Sequence, residues 1–275
     1  MLTLLVGYLA LKLIVTPLLV AAASFAGRRW GPAVSGWLVA LPLTSGPIVF
    51  FLSLSQGEEF AAAVAGATLI GAISQAAFCL GYSGAALRRP SPIALLIASL
   101  AFFAATLLLQ QIPLSAILSF LLVVLSLAIA IRLMPRFLIA SAAPVDRRPP
   151  PLWDIPVRVI VTTAFVLLLT AGAPALGAKL TGLLAPFPLY GAILAVFAHH
   201  QHGAESAVQV LRGLLFGLFS FAGFFLALAL LLCRVEIIWS FAAAIVVALA
   251  IQAGTLWALR RQRRTSSEEA LFGKG

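Results

Sequence analysis

Charge is scarce in this chain: Asp, Glu, Lys and Arg together make up 9% of its 275 residues, while 63% are hydrophobic. A soluble globule carries about a quarter charged residues, so this composition excludes one. Acidic side chains are the scarcest, eight against 18 Lys and Arg. The resulting charge of +10 does not indicate nucleic acid, because the basic residues stand at the ends of apolar segments, where Lys and Arg orient a membrane protein. The two cysteines, Cys79 and Cys233, are isolated in apolar segments and fall near opposite membrane faces in the topology below, which argues against a disulfide. No Gly-x-x-x-x-Gly-Lys-Ser/Thr motif occurs, so the sequence offers no ATPase phosphate loop.

What the chain has instead is a series of apolar runs. Segments long enough to cross about 30 Å of hydrocarbon as helices fall near 5–27, 33–54, 60–84, 92–110, 114–133, 155–174, 180–199, 205–232 and 237–259. The expected fold is therefore an all-α polytopic membrane protein with nine transmembrane helices. The opening stretch lacks a basic start and a small-residue cleavage site, and reads as a retained first helix. Alternate threading gathers Arg28, Arg29, Arg88, Arg89, Arg132, Arg136, Arg147, Arg148, Arg158 and the tail Arg260, Arg261, Arg263 and Arg264 on one side, leaving Lys179 and Arg234 on the other. The positive-inside rule then puts the N-terminus out and the C-terminus in the cytoplasm. With arginine outnumbering lysine fifteen to three, the expected setting is a bacterial inner membrane.

The chain also repeats itself at a spacing of 146 residues. Between 31–80 and 177–226, 16 of 50 positions are identical without a gap, among them Gly31/Gly177, Gly36/Gly182, Pro42/Pro188, Gly57/Gly203, Glu59/Glu205, Gly71/Gly217 and Ser74/Ser220. Chance in so Ala- and Leu-rich a chain gives roughly one match in ten, so the excess argues for duplication. The only linker-like stretch, 140–154, is polar and rich in proline. It divides a first repeat of four helices, 1–111, from a second, 155–259; residues 112–154 hold a linking fifth helix and the Pro/Arg-rich loop, and 260–275 form a basic tail. Equivalent helices lie five spans apart, an odd number, so the second copy is expected upside down. This is an inverted-topology repeat, helices 1–4 against 6–9, a construction used by secondary carriers. In topology alone the layout resembles inverted-repeat carriers that include nine-span members of the bile-acid/sodium symporter type. There the crossing pair is third in each copy, whereas the proline-broken helix is second here, so no site residue is carried over.

The second helix of each copy is interrupted at corresponding depth, by Pro42-Leu43-Thr44-Ser45-Gly46-Pro47 and Pro186-Phe187-Pro188-Leu189-Tyr190-Gly191. Proline removes a backbone donor and glycine permits unwinding. Backbone groups freed in hydrocarbon are tolerated where they line a cavity or are buried in protein. Pro42, Thr44, Ser45, Gly46, Pro188, Tyr190 and Gly191 are thus expected to line a midplane substrate site; a pair of purely structural kinks is the plain alternative. Each break is followed by a glycine turn and a carboxylate, Gly57 with Glu59 and Gly203 with Glu205, read as helix capping or as gating and coupling residues on opposite faces. Arg212 lies two turns beyond Glu205 on the same face, with Gln209 between them. An arginine inside a membrane helix is a candidate for binding substrate unless it snorkels to the interface. Lys12 reads as interfacial.

His199, His200, His202 and Glu205 are sound metal ligands by type, but adjacent histidines diverge by about 100° on a helix, and no second histidine cluster exists to complete a shell. No metal and no cofactor is expected. The leading expectation is a secondary transporter working by alternating access on a small solute. Excess basic candidates over acidic ones favour an anionic substrate, with H+ or Na+ as coupling ion and the lipid bilayer as the other partner. The alternative is an integral membrane enzyme acting on a lipid through the His/Glu cluster.

Overall fold

The computed structural model describes residues 14, 18, 37, 39–42, 44–135 and 154–272; for 154, 155, 157, 158 and 256–272 only the backbone is described. The predicted first span and most of the linker therefore lie outside the described residues. The described chain forms seven helices: α1 Ser45–Gln56, α2 Glu58–Ala86, α3 Ser91–Leu109, α4 Ala116–Leu133, α5 Asp154–Leu184, α6 Leu189–Leu231 and α7 Ile237–Phe272. Six stretches are long and apolar enough to cross a membrane, α2, α3, α4, α6, Val159–Leu184 of α5 and Ile237–Thr255 of α7. The architecture is that of an all-helical polytopic membrane protein.

Two helices form the centre. In α2 and α6 the apolar windows are 67% and 61% buried, against 22–28% in α3, α4, α5 and α7. The outer helices turn Leu96, Leu100, Leu121, Leu125, Leu168 and Val246 outward, a surface that suits hydrocarbon and would be a liability in water. Between membrane helices the hydrophobic effect supplies no net attraction, so close van der Waals packing over small residues must. A Cβ on Gly81 of α2 would meet Ala101 at 3.2 Å, and one on Gly223 of α6 would collide with Ile251 of α7. Some buried hydroxyls find partners without water: Thr106 of α3 donates to Ser74 of α2 at 3.0 Å, and Thr68 and Thr170 return to the carbonyls of Val64 and Val166, while those of Ser83, Thr162, Thr163, Thr181 and Ser220 have none among the described residues.

The helix boundaries depart from the nine expected spans in an instructive way. The predicted seventh span, 180–199, is not a helix of its own. Gly177, at φ 73° and ψ 165°, separates 154–176 from a short piece, 178–184, within α5. The chain then breaks at 185–188, restarts as 189–202, turns at Gly203 (φ 83°, ψ 177°) and continues as 204–231, the two parts forming α6. Likewise the predicted second span yields α1 as its second half, ending at Gly57 with φ 92° and ψ 168°. These three glycines sit in a backbone region that only glycine occupies without strain. Hydropathy averages over such turns, so a broken pair of half-helices and one continuous span give the same signal.

Candidate functional site

The two breaks meet. On one side α1 begins at Ser45, after Thr44, with the Gly46 N–H donating to the Pro42 carbonyl at 2.9 Å. On the other, Phe187 N–H donates to Leu184 O at 3.0 Å, Leu189 N–H to Phe187 O at 2.8 Å, and α6 begins. Ser45 Oγ crosses between them and donates to the carbonyl of Ala185 at 2.8 Å, in a buried position. One backbone acceptor freed by the second break is thus satisfied by a side chain of the first, as hydrocarbon demands.

Where they meet lies a cavity of about 20 Å³, enough for one water-sized group. Most of its wall is built from pairs 146 apart, Ala40 and Pro186, Leu41 and Phe187, Thr44 and Tyr190, Ser45 and Gly191, Gln75 and Phe221, with Val39, Pro188 and Leu189 completing it. Gln75 reaches it from α2 and is only 6% exposed, and its Oε1 has no hydrogen-bond partner among the described residues. A buried, unanswered amide oxygen is costly unless something binds there. Both half-helices open onto this cavity with no acidic residue in the first turn and no side-chain cap from Thr44 or Pro188. Such N-termini carry partial positive charge, although the Gly46, Ile48, Leu189 and Ala192 N–H groups already donate to nearby carbonyls.

The same spacing governs the packing that fixes the cavity. A Cβ on Gly71 of α2 would come within 2.6 Å of Pro186 and 3.3 Å of the Leu183 carbonyl; a Cβ on Gly217 of α6 would meet Ala40 and come within 2.5 Å of the Trp37 carbonyl. Gly217 follows Gly71 by 146, and Leu183 and Pro186 follow Trp37 and Ala40 by the same interval. Each central helix therefore presses its glycine against the broken segment from the other half of the chain. The Trp37 turn is also held by α7, where Gln252 Nε2 donates to the Trp37 carbonyl at 3.1 Å and Trp37 Nε1 donates to Thr255 at 3.2 Å.

Of the residues expected at the site, Thr44, Ser45, Pro188, Tyr190 and Gly191 line the cavity, while Pro42 and Gly46 line an apolar groove beside it. Arg212 is half-buried in α6 and lines neither. Glu59 is exposed in the first turn of α2, at the far end of α1; twelve residues at 1.5 Å each put that about 18 Å from the cavity. Glu205 and Gln209, half-buried, follow Gly203 beyond the corresponding half-helix. Lys12 lies outside the described residues, and the exposed Lys179 donates to the Ile112 carbonyl at 3.3 Å, at the α3–α4 turn. In the histidine cluster, His199 Nδ1 lies 3.4 Å from the Tyr82 hydroxyl, while His200 and His202 are exposed. Among the described residues no three His, Cys, Asp or Glu side chains converge as a metal site.

Gln75 was not singled out by the sequence, although a glutamine in the middle of a 29-residue apolar helix was a signal available to be read. Phe187 and Phe221 looked like ordinary apolar residues and acquire a role only through the fold. No protein family model, no curated protein and no solved structure matches the chain.

Proposed function

We propose that the protein is a secondary transporter of a small anionic solute, working by alternating access between two copies of inverted topology, with its site where the two broken helices meet. The observation that carries this reading is the cavity wall built mostly from positions 146 apart and braced by the reciprocal Gly71 and Gly217 contacts. A two-fold relation between halves gives a site that either half can open, the arrangement on which rocking-type carriers depend. Two helix N-termini without a side-chain cap or an acidic first turn favour a negatively charged group over a neutral one. The arginine distribution supports an inner-membrane setting with the C-terminus in the cytoplasm. Glu59 and Glu205, at the far ends of the half-helices, suit gates or entry points for an H+ or Na+ coupling ion better than direct substrate ligands.

The test is topological and functional. With Cys79 and Cys233 replaced, single cysteines at the exposed positions Gln56 and His202 are labelled with an impermeant maleimide in intact and in opened cells. The two should react from opposite faces; reaction from the same face removes the inversion and the mechanism with it. In proteoliposomes, flux of a small organic anion above that of protein-free vesicles should be lost in Gln75→Leu.

A further inference from the structure

We infer that the solute is a small organic acid with an apolar, ring-sized body, bound with its charged end in the polar cavity and its body in the adjoining groove; the inference rests on the transporter reading above. The groove has a volume of about 310 Å³ and is lined by Leu41, Pro42, Phe50, Phe224, Phe241 and Leu249 together with other apolar side chains. Leu41 is common to the groove and the polar cavity, so the two spaces adjoin across one side chain.

The chain itself shows what fits such a place. Moving four of the groove residues by 146 positions turns Leu41 into Phe187, Phe224 into Phe78, Ala248 into Phe102 and Leu249 into Phe103. Those four rings are in contact: Phe187 lies 5.1 Å from Phe102, 5.7 Å from Phe103 and 6.1 Å from Phe78, centroid to centroid. In one half of the molecule, then, an aromatic side chain beside Pro188 fills the pocket. In the other half Leu41 stands in its place, and smaller side chains at 248 and 249 leave the pocket open between the rings of Phe50, Phe224 and Phe241. Aromatic groups pair edge-to-face and offset at such spacings. A ligand ring entering this groove meets Phe224, the equivalent of the Phe78 that Phe187 meets in the other half, with Phe50 and Phe241 beside it.

The polar end follows from the cavity. Its 20 Å³ admits an oxygen-sized group and no more. The groups around it are the hydroxyls of Thr44 and Tyr190, the amide of Gln75 and the starts of two helices without acidic first turns, the Ser45 proton being committed to the Ala185 carbonyl. A carboxylate oxygen is the complement of that set, and the Gln75 amide can turn to present its NH2 donors to it. A ligand with both ends satisfied joins the two spaces; an unbranched inorganic anion fills only one, and a lipid chain only the other.

The experiment uses the full chain in proteoliposomes and a diazirine-bearing phenylacetate as photoprobe. Labelling should map to Phe50, Phe224 or Phe241, and phenylacetate should displace the probe about tenfold better than acetate or benzyl alcohol, the loss of one end of the ligand being comparable to one charge-assisted contact. Leu41→Phe, which restores the ring found in the other half, should cut labelling at least fivefold; Leu249→Phe serves the same purpose should the first variant fold poorly. Displacement by benzyl alcohol as strong as by phenylacetate would make the groove a lipid crevice and overturn the inference, as would unchanged labelling in a folded Leu41→Phe protein. Flux is read separately with radiolabelled phenylacetate and acetate. Acetate flux without groove labelling overturns the substrate class alone, whereas labelling with no flux of either acid overturns the transporter reading alone.

Discussion

Glycine does two opposite jobs in this chain, and substitution separates them. Gly57 and Gly203 have open space around the site of a Cβ, so the obstacle to a side chain there is the backbone itself, at φ 92° and 83°. Gly57→Ala and Gly203→Ala should each cost about 1–3 kcal/mol, the strain of a non-glycine residue in that region. Gly66, inside α2 and equally free of neighbours, should behave the other way. Gly66→Ala should stabilise by about 0.5–1 kcal/mol through helix propensity and a less free unfolded chain, and the arginine at 212, its equivalent, shows that a side chain is accepted at the matching position. Thermal unfolding in detergent checks both signs. Ser45 and Gln75 make a second contrasting pair. Ser45→Ala leaves the buried Ala185 carbonyl without its donor and should cost about 1–3 kcal/mol. Gln75→Leu removes an amide whose oxygen is unanswered and should be neutral or stabilising while abolishing flux. A loss of stability in Gln75→Leu comparable to that of Ser45→Ala would assign Gln75 a structural role instead.

At the scale of elements, the placing of the breaks was legible in the sequence and their consequences were not. Pro42, Gly46, Pro188 and Gly191 announce interruption by chemistry alone, and the fold puts all four against the cavity or its groove. The bounds of 180–199 were not legible: the stretch is apolar throughout, and although Pro186 and Pro188 mark a break within it, nothing in an apolar average reveals that Gly177 turns the chain before it and that α6 continues past Gly203. Arg212 stood out as expensive in a membrane, yet it sits on a face of α6 that does not reach the cavity. Gln75 attracted no notice because a lone amide gains meaning only when α2 presents it to the other half. The packing of α2 and α6 on the opposite broken segments gives this scale its own prediction. Gly71→Ala and Gly217→Ala should both destabilise by about 1–3 kcal/mol through overpacking. Gly217→Ala should cost more, since the added carbon meets the Trp37 carbonyl, backbone that cannot swing aside, whereas at Gly71 it first meets the edge of the Pro186 ring. Equal tolerance of both variants would mean that the central helices can slide on the breaks without penalty.

For the whole molecule, the difference between the two halves matters more than their likeness. A strictly symmetric pair of halves would leave both apolar pockets open or both filled. Here Phe187 fills one, among Phe78, Phe102 and Phe103, and Leu41 leaves the other open. If the halves exchange roles during transport, the aromatic contacts bias which pocket is open at rest, each ring pair contributing about 0.5–1.5 kcal/mol beyond its burial. Exchanging the two side chains should therefore shift the resting population. In Leu41→Phe/Phe187→Leu, a cysteine reporter at Ser99 should gain reactivity toward a small maleimide and one at its equivalent, Ile245, should lose it. Three contacts of that size set against the small side chains at 248 and 249 predict a shift of about tenfold or more in the ratio of the two rates. The single change Phe187→Leu should open the closed pocket without sealing the open one, raising reactivity at 99 alone. Unchanged rates at both reporters in the double variant would mean that the rings pack the protein without setting its resting state.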